Sequence, residues 1–223
     1  LRDKKMLETI LIHGGKVALS KAGSMMLKAH QDRVHNRVRT FFYFLDISYE
    51  YISTNDLDKL HKYIESEEGQ DLLANYAELI TKTSAKRALM SLALIYCNDR
   101  DIDFTEVDKL IFIRALDSID DVSIDIFLKC CDIEVSSLNK YPYLRASVNN
   151  QNLKEFETNG WGQAGVGIYI NDLIQRRLLL PDPHTGAFAS GGEGAWAVWF
   201  GISSKSKKFS KAFKKAQALL DTV

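Results

Sequence analysis

Residues 161–213 read WGQAGVGIYINDLIQRRLLLPDPHTGAFASGGEGAWAVWFGISSKSKKFSKAF, and the hydrophobic period changes more sharply here than anywhere else in the chain. Over 164–180, Val166, Ile170, Leu173, Ile174 and Leu178 recur three or four residues apart, as on one face of a helix. Residues 181–194 are rich in Pro and Gly and predict a turn. Residues 195–202 form an apolar run of strand length. Over 206–220, Phe209, Phe213, Ala216, Leu219 and Leu220 fall on one side of a lysine-rich helix. A helix that feeds a two-stranded hairpin and then a closing helix predicts a winged-helix-like ending, with the hairpin as the wing.

Upstream, the chain reads as a series of helices. Residues 84–97 are apolar nearly all round, from Ala88 through Tyr96, and predict the most buried helix. Thr105 followed by Asp108 predicts a capping box at the start of another helix, and 118–131 predicts a further helix with acids in its first turn. Residues 132–150, with Ser136, Ser137, Pro142, Asn149 and Asn150, predict a connection. Leu153, Phe156 and Trp161 predict a short helix and turn. Near the start, 32–52 carries Val34, Val38, Phe41, Phe42, Leu45, Tyr49 and Ile52 at helical spacing. Asn55 or Asp56 caps a helix using Leu57, Leu60 and Ile64, and Leu72, Leu73, Tyr76 and Ile80 mark the next. Residues 1–30 predict a loosely packed or partner-dependent helix, because Gly14, Gly15 and Gly23 each weaken it by about 1 kcal/mol relative to Ala.

The expected fold is therefore mainly α: a multi-helix body with a C-terminal winged-helix-like module containing a small antiparallel β-hairpin. The expected division is a helical domain at 1–117 and a winged-helix-like domain at 118–223. A chain of 223 residues, 46% hydrophobic and 26% charged, has the composition of an ordinary globular protein with a sizeable core. The net charge is zero but unevenly spread. Residues 2–39 hold nine Lys/Arg against three Asp/Glu, 98–134 hold four against eleven, and 203–223 hold six against one. Basic surfaces for nucleic acid or anionic lipid are one reading; basic and acidic faces meeting within one fold or across a dimer are the other. Cys97, Cys130 and Cys131 sit in apolar helical contexts and predict buried thiols in a reducing, cytoplasmic compartment.

Leu178-Leu179-Leu180, then Pro181-Asp182-Pro183-His184-Thr185-Gly186, then 195–202, resembles the second strand, wing loop and third strand of a winged helix. Ile202-Ser203-Ser204-Lys205-Ser206-Lys207-Lys208-Phe209 is similar to the Leu-Thr-x-x-Gly-x-x-Phe segment that closes the last strand of many bacterial winged-helix modules and starts a helix. Ser203 stands where that segment has Thr, and Ser206 where it has Gly. Together with 105–131, the order resembles bacterial proteins of the abortive-infection Alpha type. That resemblance implies a non-enzymatic accessory role in prokaryotes or their phages, such as phage defence, and carries over no catalytic residues.

If the module reads duplex DNA, the helix at 163–177 is the one to enter the major groove. Gln163, Asn171, Gln175 and Arg176 are its candidate base-reading residues, and Lys205, Lys207, Lys208 and Lys211 the phosphate contacts. Asp172 repels DNA and the reading face is poor in cations, which favours a protein partner or a homo-oligomer over sequence-specific DNA reading. A second reading holds the protein on an anionic membrane through its basic terminal helices.

No metal, cofactor or small-molecule site is expected. Asp99, Asp101 and Asp103 start like a calcium loop, but Phe104 and Leu110 occupy the positions that need Gly and Glu, so helix capping is the expected role of these acids. His13, His30, His35, His61 and His184 form no metal-ligand spacing. The glycines of 186–194 lead into a strand and carry Glu193, so they predict a hairpin tip instead of a phosphate cradle. Asp46 and Glu50, four residues apart, predict an exposed helix edge.

Overall fold

The segment with no polar face, 84–97, forms a helix buried along nearly its whole length. The computed structural model describes residues 2–50, 65–97, 99–134, 143–157, 162–183 and 196–222, with the side chains of all of these except 2–23, 49–50 and 68–73. In chain order the elements are α1 (Arg2–Glu50), α2 (Glu67–Lys82), α3 (Lys86–Tyr96), α4 (Glu106–Ala115), α5 (Asp121–Asp132), β1 (Leu144–Asn149), α6 (Leu153–Phe156), α7 (Gln163–Gln175), β2 (Leu180–Pro181), β3 (Ala197–Ile202) and α8 (Ser204–Leu220). The protein is mainly helical, with a small antiparallel three-stranded sheet towards its C-terminus.

α3 buries every residue from Arg87 to Ile95 and packs against both α1 and α8. Its first turn is held from outside: Arg87 donates to Asp121 at 3.1 Å and to Asp125 at 2.6 Å, which fastens α3 to α5. Thr83, just before α3, donates its hydroxyl to the carbonyl of Leu116 at 2.8 Å. One hydrophobic cluster runs from Phe41 on α1 through α3 to Phe213 and Ala216 on α8, so residues on both sides of position 117 share a core.

α1 is a single helix of 49 residues where the sequence reads as two successive helices. The physical reason is that nothing between 24 and 35 breaks the backbone: no Pro, no Gly and no capping residue with a turn behind it. The capping box at Thr105 forms as expected, with the Asp108 amide donating to Thr105 Oγ1 and the Thr105 amide to Asp108 Oδ2. Asp120 caps α5 by accepting from the Ser123 amide at 2.7 Å.

The connection expected over 132–150 holds a strand instead. In β1 the buried Ala146 and Val148 alternate with Arg145, Ser147 and Asn149, and this period-2 pattern outweighs the flanking Pro and Asn. β3 is central, in the order β1-β3-β2, and pairs antiparallel with both neighbours. β2 is only two residues long, with Leu180 opposite Gly201 and Pro181 opposite Phe200. Leu178 and Leu179, expected in the strand, precede it as wholly buried residues of the turn out of α7.

α7 stops earlier than its apolar spacing suggests. Arg177 takes φ 64°, and the amides of Arg177 and Leu178 donate back to Ile174 and Leu173. That is a Schellman ending built without glycine. The predicted cap at Asn55 or Asp56, the helix through Ile64, Trp161, His61, His184 and the hairpin tip at 186–194 lie outside the described residues.

Candidate functional site: the outward side of α7 and the lysines of α8

α7 turns Gly165, Val166, Ile170 and Leu173 into the core. The opposite side presents Gln163, Ala164, Ile168, Asn171 and Gln175 to solvent. Ile168 is 61% exposed in the middle of that stripe, with Asn171 and Asp172 one turn further on, the latter paired with Arg176. Gln163 donates to the side chain of Asn150 at 3.1 Å, which ties the start of α7 to the turn after β1.

Arg176 does not face outward with them. Its Nε pairs with Asp172 at 2.6 Å, and its Nη1 donates to the carbonyls of Ala115, at 3.2 Å, and Asp117. It therefore closes the C-terminal end of α4, where unpaired carbonyls carry partial negative charge. The same pairing neutralises Asp172.

The lysines of α8 divide into two sets. α8 is anchored by Phe209 and Phe213, whose rings lie 5.0 and 5.1 Å from that of Phe112, with Phe104 and Phe127 completing the group. Ser203 and Ser206 form a reciprocal cap at its start, so the two serines that depart from the bacterial segment perform the capping themselves. Around this anchor Lys205 pairs with Asp108 at 3.0 Å, Lys208 with Asp103 at 3.3 Å, and Lys214 with Asp132 at 2.6 Å. Lys215 reaches both Asp99 and Asp101 at 2.6 Å. Lys207 and Lys211 are exposed.

The acids at 99, 101 and 103 thus hold α8 against the body. Partial burial works against the charge on Lys215, but the hydrogen bonds it donates to Asp101 and Asp99 raise its pKa above the ordinary lysine range. Hydrogen bonding to Lys215 lowers the pKa of Asp101. Local sequence could not show these pairs, since Asp99 and Lys215 are 116 residues apart.

The eight residues singled out from sequence fall into three sets. Gln163, Asn171 and Gln175 share the outward side of α7; Arg176, Lys205 and Lys208 are engaged in intramolecular pairs; Lys207 and Lys211 project from α8, which packs on α3 and α5. Ile168 is the residue that sequence reading missed. It lay in plain view as the apolar residue that breaks the polar side of α7.

A cleft of about 650 Å³ lies where α1, α3, α5 and α8 meet, lined by Tyr43, Phe44, Lys86, Arg87, Asp121, Gln217 and Asp221 among others. Its charged and amide groups are largely paired with one another, Arg87 with Asp121 and Gln217 with Asp221. Among the described residues no three His, Cys, Asp or Glu side chains are placed to hold a metal ion, and no helix is long and apolar enough to cross a membrane. Comparison with known protein families, curated proteins and solved structures finds no match for this chain.

Proposed function

We propose that this is a non-enzymatic regulatory or interaction protein whose residues 118–223 act as a winged-helix-like module, with α7 as the contact helix for a protein partner. The succession α5, β1, α6, α7, β2, β3, with the last strand central, supports the winged-helix reading, because a winged helix follows the same order. The observation that carries the choice of partner is the exposed Ile168 at the centre of the outward stripe, where the nearest charges, Asp172 and Arg176, are paired with each other. A duplex would need cations at this surface to neutralise phosphates. A protein partner needs a desolvated apolar anchor with hydrogen-bonding amides around it, which is what Ile168, Asn171 and Gln175 supply.

The test places a photo-crosslinking amino acid at position 168 and, as a control, at the exposed Lys86, in cells that make the native protein. A discrete protein adduct from position 168 and none from position 86 is expected. In parallel, labelled duplex DNA is titrated across a salt series. Saturable DNA binding that weakens with salt and is lost in Asn171→Ala/Gln175→Ala would overturn the protein reading in favour of nucleic acid.

A further inference from the structure

We infer that α1 docks an acidic amphipathic helix of a partner protein along a seam formed by Leu27, Gln31, Val34 and Val38. The inference is independent of the reading of α7. At its C-terminal end this stripe is core: Phe41 and Leu45 are buried, and Val38 packs against the same cluster. Going back by alternate steps of four and three residues, the stripe passes through Val34, which is half-buried, Gln31, Leu27 and Ser24. Leu27 is 59% exposed, and every side chain from Ser24 to Arg33 is exposed. The seven-residue repeat that packs α1 on its own body therefore continues past that body, with Leu27 and Gln31 left exposed along it. Such a repeat packs against another helix, and one polar seam residue, here Gln31, sets the register of the pair. A helical stretch without tertiary packing is only marginally stable in water, so a partner along the seam also contributes stability.

The positions beside the seam decide what kind of partner fits. They hold Lys28 and His35 on one side and His30 and Arg37 on the other, and residues 24–39 carry four Lys/Arg against the single Asp32. Arg37 already donates to the carbonyl of Thr81. In paired helices these flanking positions choose the partner by charge. A second copy would bring the same Lys28, His30, His35 and Arg37 and no carboxylate to the flanks, so it would leave Lys28 without an acidic partner. A lipid surface needs one continuous apolar face, whereas Met25, Met26 and Leu27, all exposed, step round the helix axis by about 100° each. A helix with apolar seam residues and Glu or Asp beside them satisfies both the seam and its flanks.

The test uses the full chain and a fluorescent synthetic peptide of three heptads, with Leu at its seam positions and Glu at the flanking ones. A second peptide carries Lys in place of Glu. Anisotropy is expected to show saturable binding of the Glu peptide, at least about tenfold tighter than the Lys peptide and weakened by salt. Leu27→Asp is expected to abolish that binding and Lys28→Glu to weaken it about tenfold, while Ile168→Glu leaves it unchanged. Leu27 is outside the core, so its variant keeps the native unfolding transition. Equal binding of the two peptides, or Glu-peptide binding that survives Leu27→Asp, overturns the inference. So does self-association in sedimentation equilibrium that Leu27→Asp abolishes. Pelleting with phosphatidylserine vesicles but no binding of the Glu peptide assigns the arm to lipid and overturns it as well.

Discussion

The guanidinium of Arg145 lies 3.6 Å over the ring of Trp199, while its Nε and Nη2 reach the carboxylate oxygens of Asp182 at 2.7 and 2.9 Å. Arg145 is on β1, Trp199 on β3, and Asp182 immediately follows β2, so one side chain ties all three strands together. β2 has only two residues to pair, and this clamp with the Tyr143 hydroxyl bond to Pro181 holds it in register. Arg145→Ala is expected to lower stability by about 1–3 kcal/mol, from the lost fork and stacking together. Arg145→Lys should recover little of that, because an ammonium neither forks nor stacks. Urea midpoints measure both, and a wild-type midpoint for Arg145→Ala contradicts the clamp.

Arg176 separates a structural role from a recognition role. Its Nη1 serves two carbonyls at the end of α4 and its Nε a carboxylate. Arg176→Ala is expected to destabilise the fold by about 2 kcal/mol, while Asn171→Ala and Gln175→Ala stay within about 0.5 kcal/mol. Thermal unfolding of the three variants decides this, and similar values for all three would refute the assignment.

Asp108 makes stability depend on acid. Its side chain is only 4% exposed, and burial pushes its carboxyl up, but hydrogen bonds from Lys205 and Thr105 outweigh this and hold its pKa below the ordinary carboxylate range. A carboxyl lowered in the folded state stabilises above its unfolded value of about 4, and that contribution is lost as pH falls through the lower folded value. Asp101, lowered by Lys215, acts in the same window. The destabilisation caused by Asp108→Asn should therefore be full at pH 7 and shrink below about pH 4. A series of unfolding curves from neutral to acid pH checks it; a gap that stays constant with pH counts against it.

The three thiols are expected to be chemically quiet. Burial pushes Cys97 and Cys131 up to about 12, and Cys130, wholly buried, well above its ordinary value. The thiolate is the reactive form, so iodoacetamide at pH 8 should modify the native protein at least about a thousandfold more slowly than the urea-unfolded chain. Mass spectrometry reads the adducts. Any cysteine labelled in the native protein at the unfolded rate would contradict this.

The features legible in the sequence are those written within a few residues of each other. Residues 84–97 have no polar side to offer water, so α3 had to be buried. Thr105 and Asp108 are one turn apart, so their reciprocal cap could be read directly. The spacing of Phe209, Phe213 and Ala216 placed the buried side of α8. Where local signals conflicted, reading failed: Pro142 and Asn149 obscured the alternation of Ala146 and Val148, and no glycine marked the stop at Arg177.

Sequence by itself determined a mainly helical chain and the buried side of several of its helices, because period and capping depend on neighbours within about a turn. Only the tertiary structure decided where the charges go. Lys215 finds Asp99 and Asp101, Lys205 finds Asp108, and Arg176 turns to the end of α4 and away from the outward side of α7. These partners are far apart in the chain, and a lysine facing water reads the same in sequence as a lysine facing a carboxylate. Chain reversal alone makes the difference, and it leaves Ile168 and Leu27 as the exposed apolar residues on which the two proposed contacts rest.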